Sequence, residues 1–164
     1  MADRTHVYVY IGGALSKKAK KALEAFIEAE ADDTFIGPTI SIPPAGSPVD
    51  AAINAGTVLV LEQHEASYGE WDSAEALLHE YGLHGLVQWG DGGSFGPGVR
   101  RIMPDGAAVE AIFHDSEVAI SLSELMACTA QGLTMAQVIE DLQRFTAHAL
   151  PPLTMKTASK KAKG

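Results

Sequence analysis

Residues 84–114 read HGLVQWGDGGSFGPGVRRIMPDGAAVEAIFH, and the alternation of this stretch decides the fold class. Leu86-Val87-Gln88-Trp89 is strand-like in its apolar and aromatic content, residues 99–103 return as a second strand, and residues 109–113 as a third. Pro104-Asp105-Gly106 is a turn, because proline presets φ and glycine accepts the left-handed conformation. Residues 90–98 hold five glycines in nine, with Asp91 and Phe95 among them. Three short strands with turn signals between them form an antiparallel β-meander over about 84–114.

Upstream of the meander, Val7-Tyr8-Val9-Tyr10-Ile11 is β-branched and aromatic, hence a strand, with Gly12-Gly13 expected to end it. Ser16 caps a helix to about residue 31, with Ala19, Ala22, Leu23, Phe26 and Ile27 as its apolar stripe. Prolines 38, 43 and 44 exclude helix from residues 34–46, which read as a loop or short extended strand. Ser47-Pro48-Val49-Asp50 opens a short helix that stops at Gly56. Val58-Leu59-Val60-Leu61 is continuously apolar and predicts a strand covered on both faces. Asp72 and Glu75 form a capping pair for a helix to about Tyr81, with Trp71 stapled against Ala76 and Gly82 closing it.

Downstream, Ser121 to Glu124 is a capping box for a helix to about Ala130. Thr134 to Gln137 opens another, with Val138, Ile139, Leu142 and Phe145 on one face and Pro151-Pro152 as the stop. The expected fold is α+β: a mixed or antiparallel sheet of about 4–5 strands, an N-terminal helix, the meander and two C-terminal helices. Residues 1–153 read as one globular domain and residues 154–164 as a disordered basic tail.

Charge divides the chain unevenly. Residues 22–99 contain no lysine or arginine and thirteen carboxylates, and before Lys156 there are 8 basic against 21 acidic residues. A body this acidic repels nucleic acid and anionic membrane and attracts basic surfaces. Lys17, Lys18, Lys20 and Lys21 crowd the start of the first helix while acids crowd its end, both against the macrodipole. The polar first six residues lack a secretory pattern, no apolar run approaches a membrane span, and Cys128 is the one cysteine. A cytoplasmic protein is expected.

Catalytic signatures do not converge. His6, His64, His79, His84, His114 and His148 are scattered, although Glu62 and His64 share one side of an extended segment and His79 neighbours Glu75 and Glu80. No zinc signature occurs, and Gly92-Gly93-Ser94-Phe95-Gly96 connects strands where a nucleophile elbow needs a strand-to-helix turn. Cys128 fits an apolar helix as a small packing residue. No catalytic residue, metal or cofactor is assigned, and the chain reads as non-enzymatic.

Two functional expectations follow. The first is a non-catalytic binding module that docks on the basic surface of a partner, a surface typical of nucleic-acid-binding proteins. Glu62, Glu65, Glu70, Trp71, Asp72, Glu75, Asp91 and Phe95 are its candidate contact residues, with Phe95 as an aromatic anchor on a mobile loop. An acidic domain in such a cleft competes as a nucleic-acid mimic. In size and charge the chain resembles the small acidic inhibitors that phages and plasmids direct against restriction and CRISPR systems. The alternative is a small enzyme or ligand-binding domain with a phosphate site at Gly12, Gly13, Ser16 and Lys17, where free helix N–H groups meet a lysine. Self-association through the two C-terminal helices is a further expectation.

Overall fold

The structure, a computed structural model, describes residues 3–114 and 117–157. Strand β1 (Arg4–Leu15) leads into helix α1 (Lys17–Glu30), followed by β2 (Asp33–Ile36), α2 (Pro48–Ala55), β3 (Leu59–Ser67) and α3 (Asp72–Tyr81). Then come β4 (His84–Trp89), β5 (Gly98–Ile102), β6 (Ala108–His114) and β7 (Glu117–Ala119). The chain closes with α4 (Leu122–Ala130), α5 (Met135–Gln143), a 3₁₀ turn (Ala147–Ala149) and β8 (Leu153–Met155). The sheet order is β2-β3-β1-β4-β5-β6-β7, every neighbouring pair antiparallel, and β8 runs parallel to the end of β1.

The fold is α+β, as its sequence predicts, but the sheet has eight strands among the described residues where about 4–5 were expected. Two strands run longer than their local patterns and β8 is one of the additional strands, for three physical reasons. First, β1 does not end at Gly12-Gly13. Gly12 pairs with His84, and residues 13–15 pair with β8. Glycine is needed at position 12 because a Cβ there would stand 2.0 Å from the Pro151 carbonyl oxygen. Second, β3 continues to Ser67, well past its apolar run. Only residues 59–61 lie where both sheet faces are covered, so the polar remainder Glu62-Gln63-His64-Glu65 hides a strand from its hydropathy. Third, Leu153 is fully buried and its N–H donates to the Thr57 carbonyl at 2.9 Å. This holds Thr154 and Met155 in β8, where disorder was expected. Residues 158–164 of that tail lie outside the described residues.

Packing follows strand parity. Val7, Val9 and Ile11 point to the face covered by α1, α2 and α3, where Leu23, Phe26, Val49, Ala52, Ala74 and Leu78 complete a core. Tyr8 and Tyr10 point the other way, toward Val60, Leu86, Val99, Phe145 and Leu150. The caps at Ser16, Ser47, Ser121 and Thr134 accept the backbone N–H groups their motifs promise, and the last two are full capping boxes. At α3 the expected capping pair fails. Trp71 occupies the cap position without a side-chain bond, and its buried ring packs on Phe26 at 5.6 Å, while Ala76, the expected staple partner, is exposed. Asp72 and Glu75 sit in the first turn, where they complement the helix dipole.

The connectivity β1-α1-β2 and β3-α3-β4, with each pair of strands flanking one strand of the other, is a split β-α-β-β-α-β arrangement. It has a geometric consequence. The start of β1, the start of β2, the ends of β3 and β4, the end of α1 and the start of α3 all meet at one end of the sheet.

Candidate functional site

That end is acidic. It gathers Asp3, Glu30, Asp32, Asp33, Glu62, Glu65, Glu70, Asp72 and Asp91, while the start of α1 with Lys17, Lys18, Lys20 and Lys21 lies at the opposite end. Hydrogen bonds tie the segments together. Trp71 Nε1 donates to Glu30 Oε2 at 3.4 Å and the Ser73 hydroxyl donates to the same oxygen, so the end of α1 meets the start of α3. The His64 backbone N–H donates to Asp32 Oδ2 at 2.7 Å, and the Asp32 N–H donates to the Glu62 carbonyl at 2.9 Å.

Not every expected contact residue faces solvent there. Glu70, Asp72 and Asp91 are exposed. Glu65 is exposed but pairs with Arg4 at 2.7 Å. Glu75, in the first turn of α3, is half-buried and pairs with Arg100 at 2.6 Å. Burial nevertheless dominates its surroundings and holds its carboxyl above the usual carboxylate range. Trp71 is 3% exposed and belongs to the core. Phe95 is half-buried, 6.3 Å from the Tyr68 ring, on a loop held by Trp89 Nε1 to the Gly96 carbonyl at 3.1 Å and by the Ser94 N–H to Asp3 Oδ2 at 2.8 Å. The aromatic that faces outward is Tyr68, 55% exposed with a left-handed φ of 55°. Its sequence context, Ser-Tyr-Gly, gives no sign of this role beyond a turn.

The alternative anion cradle is not assembled. Gly12 is buried inside β1, the Gly13 N–H donates to the Pro152 carbonyl at 3.2 Å, and the Ser16 hydroxyl is spent on the Ala19 N–H at 3.0 Å. Lys17 is exposed at the helix start, whereas Lys20 is the lysine with carboxylate partners, Asp50 at 2.6 Å and Glu24 at 3.7 Å.

At the floor of the acidic pole a different cluster forms, from side chains the sequence leaves far apart. The β1–β3 register shifts between Thr5 and Val7, so that His64 and Glu65 oppose the single residue His6. This bulge turns the two imidazoles toward each other, with ring centroids 5.1 Å apart. Glu62, 6% exposed, stands beneath them: its Oε1 is 2.8 Å from His6 Nδ1 and its Oε2 is 3.7 Å from His64 Nε2. Asp33 Oδ2 approaches His64 Nε2 at 2.9 Å. The Tyr8 hydroxyl hydrogen-bonds Glu62, and burial together with that carboxylate pushes the phenol up to about 12. The cluster brings two imidazole nitrogens and the Glu62 carboxylate within 4.8 Å of one another, with Asp33 beside His64, a set suited to binding a cation or sharing a proton. The one sequence signal for it is the i, i+2 placement of Glu62 and His64 on a strand.

A groove of about 520 Å³ lies elsewhere, between the sheet and α5, with Tyr10, Leu86, Phe113, Ile139 and Phe145 in its walls. No helix among the described residues is long and apolar enough to cross a membrane. No family model matches the chain, and neither a curated protein nor a solved structure matches it.

Proposed function

We propose that the protein is a cytoplasmic, non-catalytic binding module whose acidic pole docks on a basic surface of a partner, such as the one a nucleic-acid-binding protein uses for phosphates. In that position it competes with the nucleic acid as a mimic. The observation that supports this reading is the segregation of charge. The antiparallel topology delivers carboxylates from α1, β2, β3 and α3 to one end and leaves the lysines of α1 at the other. A docking face needs many charges of one sign over an area, whereas a ligand pocket needs a few convergent groups. The working face is Asp32, Glu70, Asp72 and Asp91 around Tyr68, since Glu65 and Glu75 have internal partners and Trp71 is core.

The test compares Glu70→Lys/Asp72→Lys with a control reversal at the far end of α3, Glu80→Lys. Binding is measured against an immobilised Lys/Arg-rich DNA-binding domain at two salt concentrations, with duplex DNA as competitor. The pole reversal lowers affinity at least tenfold and flattens the salt dependence, while the control stays within twofold (about 1.4 kcal/mol separates each tenfold step). Equal effects at both ends, or none, overturn the reading.

A second observation favours self-association as well. Helix α4 buries no residue, and Leu122, Met126, Met135 and Ile139 on α4 and α5 are all more than half exposed. A second copy of the chain is the occupant proposed for that face.

A further inference from the structure

We propose that His6 Nδ1, His64 Nε2 and the Glu62 carboxylate bind one divalent first-row transition ion of the zinc class, with Asp33 beside His64. The inference goes beyond the docking face, and it stands on its own geometry. Two ligand atoms, each about 2.1 Å from one tetrahedral ion, stand roughly 3.4 Å apart. The separations from His6 Nδ1 to Glu62 Oε1, 2.8 Å, and from His64 Nε2 to Glu62 Oε2, 3.7 Å, lie on either side of that value, and one ligand atom from each of the three residues lies within 4.8 Å of the others. Both imidazoles are exposed, so side-chain rotation is free to close the set around an ion.

Charge argues the same way. Glu62 is buried, and among the described residues no lysine or arginine pairs with it; its partners are the two histidines and the Tyr8 hydroxyl. A buried carboxylate is retained at a cost unless a cation meets it. Asp33 adds a second negative charge beside His64, so the two carboxylates together match a dication held by neutral imidazoles. The pair of imidazoles selects against magnesium and calcium, which prefer oxygen, and favours zinc, cobalt or nickel. Support around the ligands is in place as well: Asp32 accepts the His64 backbone N–H and Tyr8 hydrogen-bonds Glu62, the kind of outer contact that orients ligating groups. The ligands come from β1 and β3, so the ion staples these two strands at the pole.

The test uses the full untagged chain after chelator treatment, titrated with Zn²⁺ or Co²⁺. One equivalent binds, and Zn²⁺ in hundredfold excess over its Kd raises Tm by roughly 5–10 °C. Bound Co²⁺ shows the visible absorption of tetrahedral coordination. His6→Asn and His64→Asn lose affinity at least a hundredfold while the metal-free Tm stays near that of the wild type, because both rings are largely exposed. His79→Asn/His148→Asn binds normally. No Zn²⁺ shift in the wild type, an equal shift in His6→Asn and His64→Asn, or an equal response to Mg²⁺ each overturns the site. These variants leave Glu70 and Asp72 in place, so failure here does not count against docking.

Discussion

Arg100 and Arg101 are adjacent in sequence and opposite in circumstance. Arg100 points to the helix-covered face, where Glu75 and Glu110 both hold it at 2.6 Å. Arg101 points to the other face, 5% exposed, with its Nη2 3.2 Å from His84 Nδ1 and its Nη1 without a hydrogen-bond partner among the described residues. Burial pulls the Arg101 guanidinium below its ordinary value. Burial, and then the Arg101 charge, lower the pKa of His84. An unsatisfied buried donor costs about 1–3 kcal/mol. Arg101→Met keeps much of the aliphatic volume and removes that cost, so it is expected to stabilise the domain by about 1–3 kcal/mol in denaturant unfolding. His84 then titrates nearer its ordinary value, although the burial that is the larger cause remains. The sign for stability follows from linkage. A histidine with a lowered folded pKa leaves the unfolded chain holding more protons, so stability is full above about 6.5 and declines as pH falls through that value toward the folded one. Wild type should lose stability over that window and Arg101→Met should lose less. Destabilisation by Arg101→Met at neutral pH means the guanidinium has a partner after all. The dipeptide Arg-Arg in the sequence carries none of this, because strand parity separates the two residues only once the register of β5 is known.

Among the elements, those set by local chemistry were legible in the sequence and those set by distant contacts were not. Side-chain caps at Ser16, Ser47, Ser121 and Thr134 are local motifs, and their helices start where the motifs say. The meander also matches, because turn residues punctuate it. By contrast β8 exists through pairing with β1 across most of the chain, and the polar half of β3 is a strand because β1 and β2 flank it. The His6–Glu62–His64 cluster depends on a bulge in that same pairing, so local pattern shows only the Glu62–His64 pair and not the arrival of His6. Helices α4 and α5 illustrate the reverse limit. Their apolar residues predict burial, yet Leu122 is 73%, Met126 64%, Met135 59% and Ile139 51% exposed, with Ile112 on β6 at 50%. The spacings 122/126 and 135/139 place each pair one turn apart on its helix, and contiguous apolar exposure of this kind marks an interface. The protein is expected to dimerise in a concentration series read by light scattering. Met126→Glu/Ile139→Glu should remain monomeric without loss of Tm, since both sites are exposed in the single chain. A wild-type chain that stays monomeric throughout the series contradicts the interface.

For the molecule as a whole, the separation of charge has a cost that can be measured without any partner. Carboxylates at the pole repel one another, and the nearby cation Arg4 is committed to Glu65 in an exposed pair of a type worth about 0–1 kcal/mol. Screening reaches only about 30 Å at 0.01 M salt but tightens to about 10 Å at 0.1 M, which weakens repulsion across the pole. Salt also weakens the exposed Arg4–Glu65 pair, with the opposite sign, so the direction of the net response decides which effect wins. Nine carboxylates against one arginine favour repulsion. In chelator-treated protein, raising NaCl over this range should therefore raise Tm by about 2–4 °C, the shift that about 1 kcal/mol produces in a domain of this size. Glu70→Gln/Asp91→Asn should be more stable than wild type at low salt and respond less to added salt, because two repelling charges are gone and both replacements keep their hydrogen-bonding capacity. A wild-type Tm that falls with salt would show that internal ion pairs, not unbalanced repulsion, govern the pole. That outcome would remove the electrostatic basis for docking, since a face already neutral at short range has little left to offer a basic partner.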